Sequence, residues 1–358
     1  VFSILYGLNM YFQSFGAIAV VKCNAAWFHV RERGVFGAIF GILISLGIYF
    51  AFDWGYAIVN GFTDAAGNKD LGTGAIAVFL VPTILISLFW VIDLFLVQNT
   101  PGEAGQEDFD TADASSGDDG PQLGAIDVFK KMLTNPVIMT IACVEFCSGF
   151  IRQAPMQWYR TFAKQTDIAL NLKGDFIYDH WGMFLCIAGI SGGVIAGIIS
   201  DRVFQSRRGP VAAILYAGVI LFSIALYFSF SMPAIMIGSM KLSIPGVICI
   251  LASMCVIGVH GMLSGTASMD FGGKKNVGIA VGIIDGFVYL GTGVMSLTYG
   301  MLLPKEEFDA EGNFVGAVTE PTNWDAWPIS MILIGILGFA FATRVWNAKP
   351  QGKKAKAS

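Results

Sequence analysis

Residues 136–160 read PVIMTIACVEFCSGFIRQAPMQWYR. Most of these positions suit hydrocarbon, but Glu145 and, seven residues later, Arg152 do not. Seven residues is about two helical turns, so both side chains project from one face. An arginine at membrane depth costs about 2.5–3.5 kcal/mol on insertion scales. A chain that carries such a charge is expected to use it. The stretch reads as the anion-holding helix of a membrane carrier, with the rest of the chain built around it.

Composition points the same way. Of 358 residues, 55% are hydrophobic and 13% charged, and mean hydropathy is +0.65. Soluble domains run near about 25% charged. The apolar residues fall into runs of about 20 or more, enough to cross about 30 Å of hydrocarbon as helix. The 43 glycines suit close helix packing in membranes. A net charge of −4 gives no footprint for nucleic acid. The six cysteines (Cys23, Cys143, Cys147, Cys186, Cys249, Cys255) all lie in apolar runs without metal-ligand company and read as small packing residues.

The hydropathy predicts nine spanning helices over 2–28, 35–58, 74–98, 136–160, 181–200, 210–230, 245–268, 277–303 and 326–347. The connections alternate in charge. One set (29–34, 99–135, 201–209, 269–276 and 348–358) totals 71 residues with 13 Lys and Arg; the other (59–73, 161–180, 231–244, 304–325) totals 71 with 5. At equal length this bias assigns the first set to the cytoplasm, with the carboxyl tail inside and Val1 outside. A nine-helix chain that starts outside without methionine is expected to be a longer protein lacking its front. Three more helices would make twelve.

The connection 99–135 divides the chain. Its stretch GEAGQEDFDTADASSGDDG has seven acids and no Lys or Arg, and reads as a flexible cytoplasmic linker. Residues 1–98 are then the end of an amino-terminal half, 136–347 a six-helix carboxyl-terminal half, and 348–358 a cytoplasmic tail. Six plus six helices around a long central loop is the major facilitator layout. A faint repeat agrees with it. WFHVRERGVFGAIFGILISLG (27–47) and MDFGGKKNVGIAVGIIDGFVYLG (269–291) share an aromatic helix end, a basic turn and a Gly-rich helix.

Six stretches, in order, carry a family resemblance. They are GLNMYFQSFGAIAVVK (7–22), WFHVRERG (27–34), NTPGEAG (99–105), FKKMLTNPVIM (129–139), GISGGVIAGIISDRVFQSRRG (189–209) and GGKKNVGIAVGIIDGFVYLG (272–291). They resemble, from the fourth helix to the twelfth, the organophosphate:phosphate antiporters of the major facilitator superfamily. The resemblance implies an all-α integral membrane fold with nine of twelve helices present. It implies exchange of a small phosphorylated metabolite for inorganic phosphate. The family holds phosphate with one arginine from its first helix, which has no counterpart here, and one from its seventh, which falls on Arg152 with Trp158 six residues on. A fifth-helix histidine of the glycerol-phosphate carrier falls on Ile44, and two tyrosines flanking its arginine fall on Gly149 and Gln153. Those departures argue against glycerol 3-phosphate itself.

A guanidinium suits phosphate because it is planar, permanently charged and donates two parallel hydrogen bonds. Glu145 either neutralises Arg152 when the site is empty, or takes a proton and couples transport to it, or forms a static ion pair. Asp285, in GIIDGF, either bonds a sugar hydroxyl or gates, or is a carboxylate satisfied by neighbouring helices. Asn9 and Gln13 line the cavity or bond a neighbouring helix, and Lys22 adds positive potential or snorkels to the interface. Trp158 and Tyr159 anchor at the interface or close over substrate. His260, alone in its helix, is a hydrogen-bonded histidine or a proton relay. Glycine pairs 37/41 and 278/282 allow close helix approach.

The loop charges Asp201 and Arg202, with Arg207 and Arg208, read either as gating charges that hold one access state or as plain topology-setting charge, and the basic turns bearing Arg33 and Lys275 read as gating charges as well. There is no phosphate loop for ATP, no metal cluster and no catalytic set, so the chain is expected to be no enzyme and to need no cofactor. The expected partners are the phosphorylated metabolite, inorganic phosphate and the bilayer, with the full-length protein working as a monomer in a bacterial inner membrane. Two alternatives stand beside this reading: a proton-coupled carrier of another organic anion, and a sugar-phosphate sensor that does not transport.

Overall fold

The computed structural model describes residues 2–29, 32–64, 67–112, 124–205 and 207–348. Val1, Val30, Arg31, Ala65, Ala66, the linker stretch 113–123, Ser206 and the tail from 349 lie outside the described residues. Among the described residues, nine helices are long and apolar enough to cross a membrane, and they coincide with the nine predicted spans. The protein is a multi-pass, helical integral membrane protein.

The amino-terminal group comprises α1 (Phe2–Trp27), α2 (Arg33–Tyr49), α3 (Gly55–Asn60) and α4 (Leu71–Leu96). Trp27 Nε1 donates to the Gln98 carbonyl at 3.1 Å and ties the end of α1 to the exit of α4. A short amphipathic helix, α5 (Ala125–Leu133), then lies on the protein through the buried Val128 and Met132. The carboxyl-terminal group runs α6 (Pro136–Gln165), α7 (Asp167–Leu170), α8 (Phe176–Asp179), α9 (Trp181–Ile198), α10 (Arg208–Ser229), a hairpin β1 (Ile235–Ile237) with β2 (Met240–Leu242), α11 (Ile244–His260), α12 (Ser268–Leu302) and α13 (Ala326–Arg344). The hairpin pairs Ile235 with Leu242 and Ile237 with Met240.

The start of α6 follows from its sequence. Asn135 caps it, its Oδ1 accepting from the amides of Val137 and Ile138, and Pro136 takes the first helical position, where no amide is missed. The helix continues five residues past its expected end at 160. Its buried face (Ile138, Ile141, Val144, Ile151, Tyr159) meets α11, α12 and α13 in one apolar core.

Glycine closes the α6–α12 contact from both sides. A Cβ at Gly149 would lie 2.0 Å from the Val288 carbonyl oxygen, and one at Gly291 2.0 Å from that of Phe146. No tyrosine could occupy position 149 in this packing. Of the glycines singled out from sequence, Gly37 has a packing environment outside what is described, and Gly41, Gly278 and Gly282 are not where the backbones touch. A Cβ at Gly41 would meet nothing within 4 Å, and those at Gly278 and Gly282 would make ordinary contacts with Ile18.

One sequence expectation changes. The connection 269–276 is shorter than expected: the chain is helical through it except at Gly273 (φ 67°, ψ 158°), whose positive φ kinks the chain inside α12, between the spans Ile244–Gly273 and Lys275–Leu302. Among the described residues, three π segments, in which each hydrogen bond spans one residue more than in an α-helix, interrupt the coil: Phe50–Trp54 between α2 and α3, Ile199–Val203 after α9, and Gly261–Ala267 between α11 and α12.

The two groups meet along α2 with α9 and α1 with α12. Ile18, Val21 and Ala25 of α1 pack on Met269, Val277 and Val281. The bundle has two ends. One, the basic face, gathers Arg33, Asp201, Arg208 and Asp270. The opposite face carries the end of α3, the start of α9 and the buried Asp175, which caps α8 by accepting from Ile177 and Tyr178 and also accepts from Tyr159. Burial pushes the Asp175 carboxyl above its usual range, against the pull of those amides.

Candidate functional site in the α6–α11–α12 core

Glu145, Ser148 and Arg152 project from α6 at spacings of three and four, so they form one polar stripe in an otherwise apolar helix. Opposite them stand His260 at the end of α11, Ser264 in the π segment that follows, and Asp285 in α12. Glu145 is fully buried, and its Oε2 lies 2.8 Å from His260 Nδ1. Asp285 is half-buried and accepts a short hydrogen bond from the Ser264 hydroxyl. The sequence treated His260 as solitary in its helix; the fold gives it Glu145 from 115 residues away.

Arg152 is half-buried, and among the described residues no acid lies within 4.0 Å of its guanidinium. Its Nε is buried without a hydrogen-bond partner, as are Glu145 Oε1 and Ser148 Oγ. It still acts electrostatically on Glu145, His260 and Asp285. The arrangement is therefore not an Arg152–Glu145 ion pair. Glu145 is held by histidine, Asp285 by serine, and the cation between them keeps unused donors. Buried donors left without acceptors cost about 1–3 kcal/mol each, more when charged. Such a group favours a ligand that brings acceptor oxygens and negative charge.

The other candidates are not drawn into this cluster. Gln13 Nε2 donates to Asn9 Oδ1 at 2.6 Å, and both sit on the exposed side of α1, bonding each other rather than another helix. Lys22 is exposed near the α1 end that approaches the basic face. Trp158 turns toward α12 and the loop before α13, edge to face with Tyr299 (5.9 Å) and Trp324 (6.3 Å). It lines a separate cavity of about 410 Å³ with Gln165, Tyr299 and Glu306.

The basic-face charges sort differently from their sequence order. Asp270, 1% exposed, stands between two arginines, with Arg33 Nη1 of the amino-terminal group at 3.6 Å and Arg208 Nη2 of the carboxyl-terminal group at 3.6 Å. Arg208 Nη1 also reaches Asp201 Oδ1 at 3.2 Å and Ser200 Oγ at 2.7 Å. Arg33 is fully buried and donates to the Ala25 carbonyl at 2.9 Å. Of the four gating candidates, Arg33 and Asp201 take part in this network, and Arg202 and Lys275 have exposed side chains. Asp270 and Arg208 complete it. Asp270 went unassigned because the sequence placed it in a loop rather than on a buried helix end.

Comparison with known proteins completes the picture. Residues 1–296 match the Major Facilitator Superfamily. The chain is 25% identical over 370 residues to the "Glycerol-3-phosphate transporter" of Bacillus subtilis (strain 168), covering 98% of this chain and 71% of that protein. It is 22% identical over 363 residues to the "Probable hexose phosphate transport protein" of Chlamydia pneumoniae, covering 99% and 73%. It is 23% identical over 303 residues to the "Membrane sensor protein UhpC" of Salmonella typhimurium, covering 81% and 62%. With nine apolar helices, a buried polar site in the core and a match over most of its length, the chain belongs to the Major Facilitator Superfamily.

Proposed function

We propose that this chain belongs to a secondary carrier that exchanges a small organophosphate for inorganic phosphate by alternating access, with Arg152 as a phosphate ligand. The observation that carries the reading is the state of Arg152. It is a cation in the core whose Nε is buried without a partner, while the acid two turns away is engaged by His260. The names of the relatives support the substrate class. A phosphate dianion would take two parallel bonds from the guanidinium and cancel the local charge, letting the two helix groups close around it. Glu145 and Asp285, each tied to a neighbour, leave Arg152 free for it. The Asp270 network holds the basic face shut in one access state. The division at 99–135 into two halves, a monomeric working unit and a bacterial inner membrane with the carboxyl end in the cytoplasm complete the reading. The charge bias of the connections and the bacterial relatives support the last of these.

The test is phosphate counterflow by the full-length protein in liposomes. Arg152→Lys keeps the charge and loses the fork. At about 1.5–3 kcal/mol for a charge-assisted bond, exchange should fall by roughly 10- to 100-fold. Undiminished exchange in that variant removes the claim. Two observations favour rivals the same assay separates. The buried Glu145–His260 pair suits a proton-coupled carrier of another organic anion, which would show uptake driven by a proton gradient and no phosphate exchange. The likeness to a membrane sensor suits ligand binding with no counterflow at all.

A further inference from the structure

Asp53 is an acid within a spanning segment, Gly41–Asn60, toward its α3 end, and no part of the phosphate site uses it. It sits in the π segment Phe50–Trp54, and its side chain reaches α9. There it accepts two backbone hydrogen bonds from the other helix group. Gly182 N donates to Oδ1 at 3.2 Å and Met183 N to Oδ2 at 2.8 Å. These are first-turn amides of α9, which have no acceptor within their own helix. The carboxylate therefore caps a helix that belongs to the opposite group, and its charge is matched by that helix's positive end.

The fit depends on glycine. A Cβ at Gly182 would stand 2.8 Å from Asp53 Oδ1 and 2.9 Å from the Phe52 Cβ. Two turns along, a Cβ at Gly189 would stand 2.1 Å from Ser45 Oγ, so α2 and α9 touch over this whole length. Arg160 of α6 adds a second bridge, with its guanidinium 5.8 Å from the Tyr56 ring of α3 and 4.8 Å from the Tyr178 ring of α8. Asp53, Tyr56, Arg160 and Tyr178 line a cavity of about 420 Å³ at this face.

We infer that Asp53 is the latch of the opposite face: its capping of α9 holds the two helix groups together there, and the bond must break each time that face opens. The inference rests on the carrier reading above. It places one electrostatic tie at each end of the α2–α3 rod, Arg33 to Asp270 at the basic face and Asp53 to the α9 amides at the other. Opening either face then means releasing one tie while the second holds.

The test uses the full-length protein with Met183→Cys as a reporter in the cavity, against the same protein without the reporter as blank. Asp53→Ala should raise the rate of maleimide labelling by roughly tenfold, and Asp53→Asn, which keeps one acceptor oxygen, by less. Labelling within about twofold of the parent in Asp53→Ala overturns the latch. If that variant does not accumulate, Gly182→Ala, which wedges a methyl group into the same contact, is read by the same two outcomes. Phe52→Cys with Gly182→Cys supplies a second measure through inorganic phosphate counterflow. Oxidation should stop exchange and reduction restore it; exchange by the fully cross-linked protein refutes the latch. Labelling needs no substrate, so a parent protein without phosphate counterflow would remove the proposed function and leave the labelling result to decide the latch.

Discussion

Asp270→Asn gives the sharpest test of the basic-face network. The carboxylate is 1% exposed and faces Arg33 and Arg208, each at 3.6 Å. At an effective dielectric constant of about 20, each pair is worth about 4–5 kcal/mol before desolvation. Most of that gain is offset by the cost of burying the charges, but removing one partner leaves the cost uncompensated, and the net loss runs to about 3–5 kcal/mol. The two arginines do not lose equally. Arg208 keeps Asp201 at 3.2 Å and Ser200 at 2.7 Å, whereas Arg33, fully buried, retains backbone carbonyls such as that of Ala25. The loss therefore falls mainly on the contact that joins the two helix groups. A change of about 3–5 kcal/mol confined to one access state shifts the balance of states by roughly 10²- to 10⁴-fold. A single cysteine in place of Ala26 beside this contact, labelled from the basic face, should become reactive in Asp270→Asn. Arg33→Leu should do the same, and combining the two should add little, because each breaks the same bridge. Fully additive effects, or unchanged labelling in both single variants, would show that the bridge holds nothing.

Two further outcomes follow from other parts of the fold. Gly149→Ala places a methyl group 2.0 Å from the Val288 carbonyl oxygen. It should lower the thermal stability of the protein in detergent by about 1–3 kcal/mol or prevent its accumulation, and a variant as stable as the parent would contradict the α6–α12 packing. Asp175, whose carboxyl burial holds above the usual aspartate range, binds its proton more tightly folded than unfolded. Its penalty is absent below the unfolded value and grows as pH rises through the raised one, so stability should decline over that interval. Asp175→Asn, which keeps an acceptor for the α8 cap, should flatten that part of the stability–pH curve, and an unaltered curve would rule the group out as its source.

Hydropathy made the nine spans legible because a lipid solvent tolerates few alternatives to a long apolar helix. Arg152 was legible for the same reason: a guanidinium in hydrocarbon stands out in a single sequence. Its surroundings were not. Glu145 looked like its partner because both lie on one helical face, yet His260 from a distant helix takes the carboxylate. Sequence spacing shows which groups share a face; it does not show which helix is packed against it. Asp53 carried a visible signal, an acid within the span 35–58, but its partners are backbone amides, which leave no mark in a sequence. Asp270 was hidden by the loop expected at 269–276, since one glycine at a positive φ replaces a connection that hydropathy read as eight residues.

The three π segments hold Asp53, Asp201 and Ser264. Each stores a single surplus residue in an otherwise regular coil, and a surplus residue can be moved. Passing it one turn along rotates the intervening side chains by about 100° about the helix axis while the ends of the helix stay in place. A carrier built this way has a means of turning a carboxylate or hydroxyl away from its partner without dragging a whole helix through the bilayer. Deleting one residue from any of the three would lock the coil into a uniform register and turn the polar group away from its present partner.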